Sequence, residues 1–146
     1  MKTILTPTIL GLFLALFLAA PVLAQDELVA KKLDDPQWRS VVLVKFHSGK
    51  MGRAMELIDE FQQVTKKAGT PGPELALRMS TGEWDMMMVW LMEGGISDMD
   101  WDTSPNSVKW RMAAAEHFGS ADKFKATWEE YRSLIMESKR DIARKR

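Results

Sequence analysis

The sequence predicts an α+β domain in which helices cover one face of a small antiparallel sheet. Residues 41–47, "VVLVKFH", form an apolar, β-branched run that is typical of a buried strand. In residues 50–68 the apolar side chains recur at intervals of three and four, which places them on one side of a helix. Residues 74–80 alternate between apolar and polar side chains, and residues 84–93 follow after "TG", which predicts an antiparallel hairpin. Strand, helix, strand, strand and helix, in that order, form a ferredoxin-like fold.

Residues 1–24 have the features of a signal peptide. Residues 9–20 are continuously apolar over a length that suits export and is short for a membrane span. Val22 and Ala24 are the small residues that precede a cleavage site, so we expect cleavage between Ala24 and Gln25 and a periplasmic or secreted protein. The chain has no cysteine, which excludes a lipoprotein anchor and disulfides. The mature chain should be soluble, with no stable membrane anchor.

Residues 25–40 are polar and form an expected lead-in segment, and residues 41–146 are long enough for a single domain. The 20 basic and 20 acidic residues balance, so we expect no nucleic-acid partner. The charges are nevertheless uneven: from Glu83 to Asp102 the chain has acidic residues and no basic ones, and basic residues are concentrated at the C-terminus. A solvated loop and a helix end are the simplest interpretation of these clusters.

Small and polar residues mark the expected ends of the helices. Gly69 suits the left-handed position after the first helix. Ser104 can cap a second helix, which begins at Pro105 and ends before Gly119. Ser120 can cap another, so the C-terminal residues should form a helical extension. The apolar side chains near one stripe of that helix are Phe124, Trp128, Tyr131, Ile135 and Ile142.

The hairpin separates three consecutive methionines between the two faces of the sheet. With "TG" as a two-residue turn, Arg78 faces Asp85 across the ladder. Successive side chains of a strand point to opposite faces, so Met87 is separated from Met86 and Met88. One apolar row then suits the face covered by helices, where methionine fills irregular gaps. That row consists of Leu75, Leu77, Met79, Trp84, Met86, Met88, Trp90 and Met92.

A copper site is the alternative interpretation of these methionines. Thioethers are soft ligands that suit Cu(I), and exported proteins meet copper. Its ligands would be Met79, Met86, Met88 and Met92. The spacing is not that of a loop-borne methionine motif, and no histidine is near in sequence. Packing is therefore the preferred interpretation, and we expect neither a metal nor a cofactor.

The segments "VVLVKFHSGKMGRAMELIDEF", "ELALRMSTG" and "WDMMMVWLME" resemble the first strand, first helix and central hairpin of the dimeric α+β-barrel superfamily, over residues 41–118. That superfamily includes monooxygenases of antibiotic biosynthesis, haem-degrading enzymes, lactone isomerases and proteins of unknown role, so the resemblance selects no activity. It implies a fourth strand, whereas residues 120–146 of this chain look helical. The two apolar faces of the predicted sheet favour a homodimer.

In the families that the chain resembles, the sheet face away from the helices lines the substrate cavity. A few polar residues interrupt the apolar surface on that face, which is the composition of a ligand pocket. The expected ligand-binding residues are Lys45, His47, Arg78, Asp85 and Met87. The resemblance implies that Lys45, His47 and Arg78 hold a carboxylate or enolate, with His47 able to transfer protons. Alternatively, Arg78 and Asp85 form a cross-strand ion pair and His47 is a solvated turn residue.

Three functions from different classes are compatible with these patterns. The first is the binding of a small organic ligand in a sheet-lined cavity. The second is a monooxygenase-like or isomerase-like reaction, for which His47, Lys45 and Arg78 are the catalytic candidates. The third is Cu(I) binding by methionines. The first is preferred, because the fold and the polar residues of the predicted pocket support it without requiring a reactive group.

Overall fold

The computed structural model describes residues 29–145, so the predicted leader lies outside the described residues. Residues 29–33 are not part of the compact domain, which begins at Asp34. Its elements, in chain order, are β1 (Trp38–Phe46), α1 (Met51–Ala68), β2 (Leu75–Arg78), β3 (Met86–Leu91), a 3₁₀ helix (Gly95–Asp100), α2 (Pro105–His117), α3 (Ala121–Leu134) and β4 (Ile135–Arg144).

The strands of this domain form one sheet in the order β2-β3-β1-β4, and all neighbouring strands are antiparallel. Strand β1 is central and pairs along its length with β3 on one side and β4 on the other. The strand order and the order of the elements together define a ferredoxin-like fold. The predicted fold class is therefore confirmed.

Helices α1, α2 and α3 cover one face of the sheet and form the core with it. Val44 and Phe46 from β1 and Met86 from β3 meet Leu57 and Phe61 from α1 in a single buried cluster. The β1 residues alternate and the α1 residues are four apart, so both sets follow the periodicities of a strand and a helix. Burial of each such side chain stabilises the fold by about 1.5–3 kcal/mol.

Phe61 is the centre of an aromatic cluster that joins the three helices. Its ring centroid lies 5.8 Å from that of Trp110 on α2, and 5.3 Å and 5.4 Å from those of Trp128 and Tyr131 on α3. Edge-to-face and tilted contacts of this kind are favourable for aromatic pairs. Trp110 Nε1 donates a hydrogen bond to Thr65 Oγ1 at 2.9 Å, so its polar atom is also satisfied. Aromatic packing thus fixes α2 and α3 on α1.

The expected helix ends are confirmed. Gly69 follows α1 with φ of 61°, in the left-handed region. The hydroxyl of Ser104 accepts the N–H of Ser107 at 3.2 Å at the start of α2. The hydroxyl of Ser120 accepts the N–H of Lys123 at 3.2 Å at the start of α3. These local bonds satisfy helix-end groups that would otherwise have no partner within the helix.

The ion pairs of Arg53 and Lys67 connect α1 to the other helices. Arg53 Nε lies 2.7 Å from Glu130 Oε1 on α3, and Lys67 Nζ lies 2.8 Å from Glu116 Oε1 on α2. The hydrogen bond from Arg53 lowers the pKa of Glu130, and the hydrogen bond from Lys67 lowers the pKa of Glu116. A carboxyl with a lower pKa in the folded chain stabilises the fold above its ordinary pKa and loses that contribution as the pH falls. Both ion pairs therefore contribute to the stability of the fold at neutral pH and lose this contribution in acid.

The C-terminal prediction is correct for α3 and wrong from Ile135 onward. Residues Ile135–Arg144 form β4, and Ile142 faces Ser40 of β1 instead of extending the helical stripe. The spacing of the two isoleucines suits a helix, and the lysine and arginine residues between them have good helix propensity. Strand β1, however, has an edge of backbone N–H and C=O groups that require partners. The backbone hydrogen bonds that residues 135–144 form with this edge outweigh their local preference for a helix.

The predicted hairpin register is wrong by one residue. Arg78 faces Met86, not Asp85. The connection is longer than the expected two residues, because Met79 pairs with Asp85 through a hydrogen bond from its N–H to the Asp85 carbonyl at 2.8 Å. Gly82 lies in the middle of this loop with φ of 96°, which only glycine adopts easily. A shift of one residue moves the side chains of β2 to the opposite face.

Replacing Phe61 by alanine should lower the free energy of unfolding by about 3–5 kcal/mol, because it removes the shared ring of the aromatic cluster. Denaturant unfolding followed by circular dichroism measures this change. Met112→Ala is the control, since Met112 is an exposed residue of α2, and it should change the same free energy by about 0.5 kcal/mol or less. Equal losses in the two variants would contradict a central role for Phe61.

Candidate functional site: the open face of the sheet

The face of the sheet that the helices leave uncovered is here called the open face. Val41 and Leu43 of β1 pair with Val89 and Met87 of β3, and Leu77 of β2 also pairs with Met87. Paired residues of neighbouring strands point to the same side. The open face therefore carries a continuous set of apolar side chains, which consists of Val41, Leu43, Leu75, Leu77, Met87, Val89 and Leu91.

The exposure of these side chains shows that the two faces of the sheet differ. Leu75, Leu77 and Leu91 are 43%, 40% and 40% exposed, whereas Val44 and Met86 on the helix-covered face are 2% and 5% exposed. Leu75 and Leu77 were expected under the helices, and the corrected register moves them to the open face. A continuous apolar surface is uncommon on a monomeric protein and marks a site of binding or assembly.

Strand β4 adds a pair of opposite charges to the border of the open face. Lys139 lies opposite Leu43, and Asp141 lies opposite Val41. Their charged atoms, Lys139 Nζ and Asp141 Oδ2, are 2.9 Å apart. The helical interpretation of these residues hid this arrangement, because two residues separated by one position share a side in a strand and not in a helix.

A second ion pair lies where β1 begins. Arg39 Nε donates to Glu74 Oε2 at 2.7 Å, and Arg39 Nη2 donates to Glu74 Oε1 at 3.2 Å. Nη2 also donates to Gln37 Oε1 at 3.3 Å, and only 12% of the Arg39 side chain is exposed. This two-point contact is a strong form of ion pair. Sequence reasoning missed it because Arg39 fell within the expected lead-in segment, although "WRSVV" continues the alternation of the strand backwards.

A groove of about 1010 Å³ extends from this end of the open face. Arg39, Glu74 and Leu91 line the groove and also belong to the open face or its border. Trp38 and Ile96 add apolar walls. The groove and the open face are therefore continuous, and their combined surface mixes apolar walls with a few fixed polar groups, as ligand sites do.

Lys45 and Met87 lie on the open face, as predicted. Lys45 is partly buried and faces Glu137 of β4, and none of the hydrogen bonds or ion pairs among residues 29–145 uses its ammonium group. His47 lies beyond the end of β1 and is exposed. Its N–H donates to the Leu134 carbonyl at 2.9 Å, which fixes the turn after the strand. Of Lys45 and His47, Lys45 is therefore the predicted polar residue that lies on the open face.

Arg78 does not share a face of the sheet with Lys45 and Met87. Arg78 shares the side of Met86, which is the helix-covered side, so Arg78 and Lys45 project from opposite faces. Arg78 and Asp85 form no ion pair with each other. Asp85 Oδ2 instead accepts the N–H of Phe46 at 2.7 Å, at the point where the pairing of β1 with β4 shifts. The contribution of both residues to ligand binding stays a prediction.

The three consecutive methionines are divided between the two faces, as predicted. Met86 and Met88 face the helices, where Met86 is buried and Met88 packs against the core, and Met87 faces the open side. Met92 is also buried, whereas Met79 is exposed at the end of β2. The packing interpretation therefore accounts for Met86, Met88 and Met92. Across residues 29–145, no three histidine, aspartate or glutamate side chains are placed to share a metal ion.

Comparison with known proteins gives only remote likenesses. No family model matches the chain, and no curated protein does. The chain is similar to a NIPSNAP family protein from Agrobacterium tumefaciens strain C58, with 14% identity over 73% of this chain and 90% of the other and a TM-score of 0.47. It is also similar to a second NIPSNAP family protein of that strain, described as having unknown function, with 11% identity over 75% and 87% and a TM-score of 0.47. The fold assignment depends on the strand order and not on these likenesses.

Within residues 29–145, no helix is both long enough and apolar enough to cross a bilayer.

Asp85→Ala should lower the free energy of unfolding by about 1–3 kcal/mol, because it leaves the Phe46 N–H without its acceptor. Asp85→Asn retains an oxygen acceptor and should lower it less. Thermal or denaturant unfolding of both variants measures the difference. If Asp85→Asn is as destabilising as Asp85→Ala, the carboxylate charge matters more than the hydrogen bond, which would contradict the structural role assigned here.

Proposed function

We propose that the protein binds a small organic ligand on its open face, and that a second copy covers this face and encloses the ligand. The observation that carries the proposal is the continuous apolar surface on one side of a sheet whose other side is covered by helices. A sheet with two apolar faces needs a cover on each. The fold itself is compatible with ligand binding but selects no ligand.

A second copy suits the open face because the face is complementary to itself. In a twofold dimer the apolar centre of one sheet meets the apolar centre of the other. The Lys139–Asp141 pair lies on β4 at the border, so it can remain in contact with water. The leucine, valine and methionine side chains of this face are already partly buried, so each contributes only a part of the about 1.5–3 kcal/mol that full burial gives. Association costs about 4–15 kcal/mol, so a dimer requires the contributions of most of these side chains from both copies.

The ligand that fits this surface is mostly apolar and carries one anionic group. The lining is apolar, and the two border ion pairs neutralise themselves. Lys45 lies opposite Glu137 on this face but forms no ion pair among residues 29–145, so a carboxylate or enolate of the ligand beside Lys45 would gain a charge-assisted hydrogen bond. The groove at the start of β1 offers a route from solvent to the face. The proposal does not include turnover, because His47 lies beyond the end of the open face.

Native mass spectrometry of the protein isolated from its own source should show a dimer that carries an organic adduct. Leu77→Asp places a charge on the open face and should shift the protein to monomer and release the adduct, because an unpaired charge is costly to bury. Val108→Asp is the control, since Val108 is similarly exposed but lies on α2. It should leave the dimer unchanged.

A Lys45→Gln variant separates ligand binding from dimerisation. It should keep the dimer and retain less adduct, because it removes the cation and keeps much of the side-chain length. A Leu77→Asp variant that stays dimeric would exclude the open face as the interface. If the dimer carries no adduct whichever source it is isolated from, assembly is the only role left for this face, and the ligand proposal is excluded.

We also propose that the chain is exported and cleaved between Ala24 and Gln25, which the composition of the N-terminal residues supports. N-terminal sequencing of the protein from the periplasmic or culture fraction should start at Gln25. Ala24→Arg should block cleavage and leave the precursor, because the position before the cleaved bond requires a small residue. A chain that starts at Met1 and stays in the cytoplasm would contradict export.

A further inference from the structure

The segment between β3 and α2 exposes large apolar side chains that the core does not use. Residues 93–102, here called the acidic loop, contain the 3₁₀ helix Gly95–Asp100. Ile96, Met99 and Trp101 are 46%, 61% and 56% exposed. Tryptophan is highly buried on average in folded proteins, so an exposed tryptophan beside exposed methionine and isoleucine is unusual. Tryptophan and methionine are enriched at protein interfaces.

Local hydrogen bonds hold the acidic loop in shape. The Gly95 N–H donates to the Met92 carbonyl at 2.9 Å, and the Gly94 N–H donates to Asp98 Oδ2 at 3.0 Å. The Ser97 hydroxyl donates to the Gly94 carbonyl at 2.5 Å. Residues three apart share a side of a 3₁₀ helix. The loop therefore presents Ile96 and Met99 together on a fixed backbone, so they need little further ordering on binding.

The acidic loop also carries a local negative charge. Glu93, Asp98, Asp100 and Asp102 belong to it, and no lysine or arginine occurs between Arg78 and Lys109 in the sequence. None of the ion pairs among residues 29–145 involves these four carboxylates. The whole chain is balanced in charge, so the loop is an acidic stretch of a neutral sequence. Arg39 and Lys145 line the groove beside its first residues, so the acidic side of the loop is the part from Asp98 to Asp102.

We propose that the acidic loop is a docking surface for a positively charged protein segment that also carries apolar side chains. Trp101 stands between Asp100 and Asp102 in the sequence, so an aromatic face and carboxylates are available in one short segment. A lysine or arginine that stacks on the indole gains a cation–π contact, and neighbouring carboxylates add charge-assisted hydrogen bonds. Ile96 and Met99 supply the apolar part of the contact.

Two other occupants fit the acidic loop less well. Anionic lipid headgroups would be repelled by the four carboxylates, so a membrane surface is disfavoured. A bound metal ion would need several ligands on one centre, and no group of three acidic or histidine side chains in the described chain has that arrangement. A cationic protein segment alone uses both the charges and the exposed apolar side chains.

The test is the binding of a synthetic amphipathic peptide of lysine and leucine, about 18 residues long so that it can form one apolar helix face. Isothermal titration calorimetry measures its affinity for the purified protein, and a peptide with glutamate in place of lysine measures non-specific binding. Trp101→Ala should weaken the lysine peptide at least about tenfold. Asp100→Asn/Asp102→Asn should also weaken it, with a smaller dependence on salt.

Matched control variants test whether the lysine peptide binds to the acidic loop or to another part of the surface. Met112→Ala removes another exposed methionine, and Asp59→Asn/Glu83→Gln changes the net charge by the same amount as the double variant of the loop. Both controls should bind the lysine peptide as the unchanged protein does. Equal losses in the controls, or equal binding of the two peptides, would overturn the proposal. A change in oligomeric state caused by Trp101→Ala, seen by sedimentation equilibrium, would assign the loop to a second copy instead and would also overturn it.

Discussion

The two-sided pairing of strand β1 is the constraint on which the rest of the structure depends. Strands β1 and β3 are the interior strands of the described sheet, and β1 pairs with β3 on one edge and with β4 on the other. Its alternate residues are apolar on both sides: Val44 and Phe46 enter the core, and Val41 and Leu43 enter the open face. Strand β1 supplies apolar side chains to both faces of the sheet. The helices cover one face only, so they cannot bury all of these side chains.

The elements with strong local signals could be predicted from the sequence. The apolar periodicity of α1, the glycine after it and the serines before α2 and α3 are physical features of the chain itself, and each has the expected role. The division of the methionines between the faces also followed from the geometry of a strand alone. These predictions succeeded because each depends on neighbouring residues and not on distant parts of the chain.

The features that depend on distant partners could not be predicted in this way. Residues Ile135–Arg144 have charges that suit a helix surface, and edge strands commonly carry such charges too. Only the free edge of β1 decides between the two states. The hairpin register similarly depends on how the five-residue connection around Gly82 closes, and the expected two-residue turn is the more common form. The Arg39–Glu74 pair joins residues that are far apart in sequence, so no local pattern reveals it.

The register of the hairpin determines which function the open face can have. With the expected register, Arg78 and Lys45 would share one face, and that face would be an apolar surface broken by several charges. With the observed register, Arg78 leaves the open face and two leucines of β2 join it. The charges that remain are two self-neutralised pairs and Lys45, which lies opposite Glu137 of β4. The ammonium group of Lys45 takes part in no ion pair among residues 29–145, so it can orient one anionic group of a bound molecule. The corrected register therefore leaves Lys45, and not Arg78, as the cation that supports the proposed binding.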